Sequence, residues 1–193
     1  VGGGIAGYKA LQRVLEIDPS CAVVIVSDED RPAYERPMLS KELLVSDAPL
    51  RSVTIRGDFP NLRQIFEERV TSVDRARQEV HLSTGEAIPY RSLILATGSR
   101  PRTLTFPGLA DDDLVYLRTA TDAERLSAKL EPNSRVAIIG GGFIGLEVAA
   151  AARKRGAEAI VFEAQSRLLA RVAPTSLSMW LNKLHSENGV TIK

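Results

Sequence analysis

Cysteine is nearly absent: Cys21 is the only one among 193 residues. A disulfide framework within the chain is thereby excluded, and a zinc site built on thiolates lacks ligands. Histidine is almost as scarce, with His81 and His185 alone. Neither has a partner histidine or thiol nearby in sequence, so neither a metal centre nor a catalytic triad is expected. Charge of one sign does not accumulate either. The 25 basic and 24 acidic residues leave a net charge of +1 and are interspersed, without the basic stripe of a nucleic-acid binder. No run approaches the ~18–20 uninterrupted apolar residues of a membrane span. The expectations are therefore no nucleic acid, no membrane and a cytoplasmic location. The hydrophobic fraction of 44% is ordinary for a globular protein, and the length lies between one domain and two.

What is present is one organisation written twice. The first copy opens with Gly2-Gly3-Gly4-Ile5-Ala6-Gly7. A helical stripe follows at Ala6, Ala10, Leu11, Val14 and Leu15, Asp18-Pro19 breaks it, and Ala22 to Val26 reads as a short buried strand ending at Asp28 and Glu29. The second copy begins with the apolar run Val136-Ala137-Ile138-Ile139, then Gly140-Gly141-Gly142-Phe143-Ile144-Gly145. An alanine-rich helix runs from about Leu146 to Arg155, Gly156 stops it, and the strand Ala159 to Phe162 ends at Glu163. Each copy is a G-x-G-x-x-G fingerprint in its strand, turn, helix, strand and acid context. The first glycine permits the tight turn, the second lets a pyrophosphate approach the backbone, and the third lets the helix lie close to the strand. The helix N-terminus offers unpaired N–H groups to phosphate, and the acid accepts the hydroxyls of an adenosine ribose. Only Val1 stands before the first turn and Val190 to Lys193 reads as a strand just beginning, so both ends read as interior to a longer chain.

Between the copies, Val70 to Val73 and Glu79 to Leu82 alternate with period two around turn signals, which predicts a small antiparallel sheet. His81 falls on its polar face. Ser92 to Gly98 reads as a buried strand ending in a small-residue turn, and Ser99 to Gly108, with two prolines, as the linker. Thr121-Asp122-Ala123-Glu124 reads as a capping box. Leu177, Trp180, Leu181 and Leu184 form an i, i+3, i+4, i+7 stripe, which places Trp180 in the core. The fold class expected is α/β, with two Rossmann-like three-layer (β/β/α) nucleotide-binding domains at residues 1–108 and 109–193.

The segment Arg31-Pro32-Ala33-Tyr34-Glu35-Arg36-Pro37-Met38-Leu39-Ser40-Lys41, set between two fingerprints, resembles the FAD-dependent ferredoxin reductases of the pyridine nucleotide-disulfide oxidoreductase superfamily. Leu95-Ala96-Thr97-Gly98 with Pro101-Arg102, and Gly142-Phe143-Ile144-Gly145-Leu146-Glu147, carry the same likeness. Monodehydroascorbate reductase and apoptosis-inducing factor are similar in these motifs, and remain the alternative readings. The resemblance implies an NADH-dependent flavoprotein that passes electrons through FAD to a ferredoxin-type iron–sulfur protein of an oxygenase system. It implies FAD contacts at Gly2, Gly4, Ile5, Ala6, Gly7, Asp28, Glu29, Arg36, Lys41, Val70, Ala96, Thr97, Gly98 and Arg102. NAD(H) contacts would be Gly140, Gly142, Phe143, Ile144, Gly145, Glu147 and Glu163. Lys41 would reach the flavin and pair with Glu147 across the two domains; without the resemblance Lys41 is an ordinary solvated lysine, and Glu147 merely suits its helix N-terminus. Arg167 and Arg171, downstream of Glu163, could rescue binding of a 2′-phosphorylated coenzyme. The pattern departs from the family's at Met38, where a second proline is usual, and over 50–67, to which no role is carried. Family members are longer, with a later acidic segment and a C-terminal interface domain. A lone cysteine excludes the thiol pair of the disulfide reductases, so electrons must leave the flavin directly.

Overall fold

The computed structural model describes residues 1–45, 54, 57, 59–110 and 113–193. Residues 50–53, 55, 56 and 58, part of the stretch 50–67 to which no role was carried, lie outside them. The chain divides into two compact units, Val1–Glu35 with Val53–Arg100, and Arg36–Ser52 with Pro101–Lys193. The second junction falls inside the proline-containing stretch expected as the linker. The units nevertheless differ from a single cut at residue 108, because Arg36–Val45 packs against helices of the C-terminal half.

In the first unit, helix α1 (Ile5–Ile17) precedes strand β1 (Val23–Val26), which pairs in parallel with β2 (Leu62–Ile65). Strand alternation sorts the side chains to two faces. Val23, Ile25 and Leu62 pack with Tyr8, Leu11 and Ala33 on the helix side. Val26 and Ile65 pack on the other side with Val80, Leu82 and Ile88 of a three-stranded antiparallel sheet, β3 (Val70–Asp74), β4 (Glu79–Leu82) and β5 (Ala87–Pro89). Three layers result: helix, parallel strands, antiparallel sheet. His81 alternates with the buried Val80 and Leu82, as its period demands. Strand β2 has no sequence signature, because Arg63 and Gln64 interrupt a four-residue run.

Ser92 to Gly98 is not the buried strand expected. It forms no regular strand, and Leu95 is 65% exposed. Its ladder has a single rung: the Val1 amino group donates to Ile94 O at 2.7 Å, and Ala96 N donates to Val1 O at 2.7 Å.

In the second unit, β6 (Arg135–Ile139), β7 (Glu158–Phe162) and β8 (Val190–Ile192) form a parallel sheet with β7 central. Helix α4 (Phe143–Lys154) packs on it through Val148, Ala149, Ala151 and Ala152 against Ile138, Ala159 and Val161. Alanine is both the best helix former and small enough to bring helix and sheet close. Val161 is fully buried, which for such an aliphatic side chain contributes about 1.5–3 kcal/mol. Short helix α2 (Glu42–Val45) and helix α3 (Ala120–Lys129) complete this core through Leu44, Leu126 and Leu130. The capping box of α3 is Thr119 with Asp122, two residues earlier than expected. The Asp122 carboxylate reaches back to Thr119 N at 2.7 Å, a bond that fixes the N-cap at Thr119.

Helix α5 (Thr175–Glu187) overturns a second expectation. Its buried residues are Ser178 and His185, whereas Trp180 is 57% exposed and Leu177 and Leu184 face outward with it. Of the stripe only Leu181 packs inward, against Leu146, Leu168, Leu169 and Ala173, while Ser178 is engaged by the preceding loop. No helix among the described residues is long and apolar enough to cross a membrane.

Candidate functional site

The two glycine turns are built on one plan. Gly2 N donates to Val26 O at 2.9 Å, and Gly140 N donates to Phe162 O at 2.8 Å, so each turn is tied to the end of the neighbouring strand. Each first glycine has a positive φ, +111° at Gly2 and +105° at Gly140, a conformation that side chains resist. A Cβ on Gly7 would fall 2.1 Å from Gly2 O, and one on Gly145 equally 2.1 Å from Gly140 O. The third glycine is thus required by the carbonyl of the first. Gly4 and Gly142 serve as helix N-caps with φ of −81° and −82°. Neither has a side chain to cap with, so the first N–H groups of α1 and α4 receive no side-chain cap from them.

Gly142 differs in kind from its neighbours. Its backbone is one that any residue adopts, and a Cβ there would meet nothing within 4 Å. No atom of the described residues excludes a side chain. The space at this helix N-terminus suits an anion held by N–H groups and the helix dipole.

At the end of β7, Glu163 Oε2 accepts from Gly141 N at 2.8 Å and Oε1 accepts from Gln165 N at 2.8 Å. A carboxylate has about four acceptor positions, so both oxygens retain capacity for hydroxyl donors. At the end of β1 the corresponding position is Ser27, whose Oγ accepts from Glu29 N at 3.2 Å. The two acids expected to serve the first turn stand one and two residues later. Asp28 pairs with Arg69 at 3.5 Å, and Glu29 accepts a hydrogen bond from the Tyr34 hydroxyl.

Ala96, Thr97 and Gly98 are brought beside the first turn. A Cβ on Gly2 would strike Ala96 O at 2.1 Å, and one on Gly7 would touch the Ala96 methyl at 3.8 Å. Ile5 and Ala6 occupy the exposed first turn of α1, and Val70 opens β3. Arg36, Lys41 and exposed Arg102 belong to the second unit. There Arg36 Nη1 donates to Arg118 O at 2.8 Å, which ties the Arg36–Ser40 3-10 turn to the loop before α3.

Lys41 and Glu147 meet. Lys41 Nζ lies 2.8 Å from Glu147 Oε1, and it also donates to Pro37 O at 3.2 Å. The contact joins two parts of one compact unit rather than two separate domains, because the Lys41 segment packs with α4. The Ser40 hydroxyl donates to Glu147 Oε2, a partner that the sequence reading did not single out. Serine next to a lysine in a helix-starting segment carries no signal of its own. Phe143 and Ile144 sit exposed on the first turn of the same helix. His185, buried on α5, is pushed below the usual histidine range by desolvation, and no metal-binding cluster occurs among the described residues.

The family model for "Pyridine nucleotide-disulphide oxidoreductase" matches residues 1–193. The ferredoxin--NAD(+) reductase component of the anthranilate 1,2-dioxygenase system of Burkholderia cepacia is 39% identical over 98% of this chain and 48% of its own length. Rhodocoxin reductase of Rhodococcus erythropolis is 39% identical over 100% of this chain and 46% of its own. The solved covalent complex of putidaredoxin reductase with putidaredoxin superposes with a TM-score of 0.92 at 35% identity, over 100% of this chain and 48% of the other. The chain spans about half the length of the curated relatives it matches. With its two α/β units and paired glycine turns, it belongs to the pyridine nucleotide-disulphide oxidoreductase family.

Proposed function

We propose that this chain is the dinucleotide-binding portion of an NADH-dependent flavoprotein reductase. FAD binds at the first glycine turn, within residues 1–108, and NAD(H) at the second, within 109–193. Electrons then pass to a ferredoxin-type iron–sulfur protein of an oxygenase system, in the cytoplasm. The observation that carries the reading is Gly142, a glycine with ordinary φ and open space where its Cβ would be. Glycine there makes sense as room for a phosphate.

When bound, the two dinucleotides supply the redox chemistry, hydride uptake by a flavin from a nicotinamide. The chain's residues bind and orient. The N–H groups opening α1 and α4 serve the pyrophosphates, and Glu163 accepts the ribose hydroxyls. Its negative charge disfavours a 2′-phosphate, which selects NADH. Asp28 and Glu29 serve the FAD ribose, with Val70, Ala96, Thr97, Gly98, Arg36 and Arg102 as further FAD contacts. Lys41, its charge held by Glu147 at 2.8 Å, favours the electron-rich reduced flavin by Coulomb attraction. Relatives named as ferredoxin--NAD(+) reductases support the acceptor, as does the single cysteine.

The test is the visible spectrum of the intact protein, followed by anaerobic reduction with NADH and NADPH and turnover with a ferredoxin. A yellow protein bleached by NADH at far lower concentration than by NADPH is expected. Gly4→Val should yield colourless protein. A protein that purifies without flavin and binds neither coenzyme contradicts the proposal.

A further inference from the structure

Arg167 lies in the loop between β7 and α5, four residues after Glu163. A guanidinium there reads naturally as a ligand for a 2′-phosphate, but its bonds say otherwise. Nη1 donates to Ala173 O at 2.8 Å and to Ser178 Oγ at 2.7 Å, and Nη2 donates to Ala170 O at 2.9 Å. Ser178 is 1% exposed, and its hydroxyl donates to Leu168 O at 2.5 Å. The loop is thereby folded onto itself as a strap, with Leu169 at φ +52°.

That strap rests on the glycine turn. Leu169 N donates to Gly141 O at 3.1 Å. Leu168 is packed so closely that a Cβ on Gly141 would fall 2.4 Å from its Cδ2. Gly141 N in turn holds the Glu163 carboxylate. Arg167 is therefore linked, through the strap and Gly141, to both the phosphate turn and the ribose acid.

We propose that Arg167 is a positioning residue for binding of the coenzyme. It acts by fixing the strap that holds Gly141 and Glu163, and not by meeting the coenzyme. This rests on NAD(H) binding at the second turn. Its planar fork serves three acceptors at once, which a lysine cannot imitate. The arginine downstream of the acid consequently does not rescue a 2′-phosphate.

The experiment compares the intact protein with its Arg167→Ala, Arg167→Lys and Ser178→Ala variants. Dissociation constants for NADH and NADPH, kcat at saturating NADH, and the rate of tryptic cleavage at exposed Arg171 without coenzyme are measured. Arg167→Ala and Arg167→Lys should each weaken NADH binding about tenfold, leave kcat within about twofold, and accelerate cleavage at Arg171. Ser178→Ala, which removes one of three acceptors, should move both quantities the same way by less and keeps the test open if Arg167→Ala does not fold. Selective loss of NADPH binding in Arg167→Ala, or unchanged NADH affinity in both arginine variants, overturns the proposal alone. A parent protein that binds neither coenzyme overturns it together with the functional reading.

Discussion

The two glycine turns share a skeleton and differ at their polar ends. Both tie the first glycine to a strand end, and both bring the third glycine's α-carbon against the first glycine's carbonyl, with the same hypothetical 2.1 Å collision. Both also fold the residue after the strand back onto the N–H two positions on, Ser27 Oγ to Glu29 N and Glu163 Oε1 to Gln165 N. Glutamate has a second oxygen left for Gly141 N, and serine has none. In the first turn the acids shift outward to Asp28 and Glu29, where Arg69 and Tyr34 meet them. Glycine spacing fixes the backbone of such a turn; the side chain at the strand end is free to vary with the ligand.

The largest effects should come where the turns are alike. Gly7→Ala and Gly145→Ala each drive a methyl into a backbone carbonyl that cannot move without opening the turn. Each should cost about 3 kcal/mol of unfolding free energy in urea. A loss below ~1 kcal/mol in either variant would break the symmetry. Next comes a pair expected to differ. Gly2 and Gly140 both have positive φ, but a Cβ on Gly2 also hits Ala96 O, whereas one on Gly140 meets nothing. Gly2→Ala should therefore lose about 3 kcal/mol and Gly140→Ala about 1–2 kcal/mol. Equal losses would mean that strain alone sets the requirement.

A smaller effect is expected at Lys41 and Glu147, whose side chains are 48% and 31% exposed. Solvent screening limits such a pair to roughly 0.5–1 kcal/mol of coupling, to be read from a double-mutant cycle on stability and to shrink with added salt. Coupling that is zero at low salt would remove the pair from the account. The smallest effect concerns His185, which only the second unit has. Burial lowers its pKa below the ordinary 6.5, so the unfolded chain binds the proton more readily than the folded one. Stability is then complete above pH 6.5 and declines as pH falls below it, until the lower folded pKa is passed. His185→Gln should flatten that part of the unfolding profile, and an unchanged acid slope would show that other groups set it.

Much of this was legible in the sequence for a physical reason. The glycine turns are local: spacing, capping and the acid at the strand end all lie within about 25 residues, and the structure places Gly140 to Gly145 and Glu163 together as their spacing implied. The Lys41–Glu147 contact is not local, and came from family likeness rather than from pattern. Patterns failed where a long-range partner decides the outcome. The stripe of Leu177, Trp180, Leu181 and Leu184 has helical period, but period does not say which edge of it faces inward: Leu181 packs on the core, and buried Ser178, which binds Arg167 and Leu168 O, lies inward where Trp180 was expected. Ser92 to Gly98 reads as a strand from its composition, yet it forms no regular strand and Leu95 is exposed. The capping residue of α3 moved because Asp122 serves as well as Glu at the third helical position.

The central claim is that the second turn keeps a glycine at 142 for a coenzyme and not for the fold. Gly142→Ser tests it most directly, since serine is at least as good an N-cap as glycine and adds a Cβ to the open space. The expected result is an unfolding free energy within ~0.5 kcal/mol of the parent and NADH affinity, measured by equilibrium titration of the intact protein, weakened at least about tenfold. A folded Gly142→Ser protein that binds NADH as tightly as its parent would contradict it.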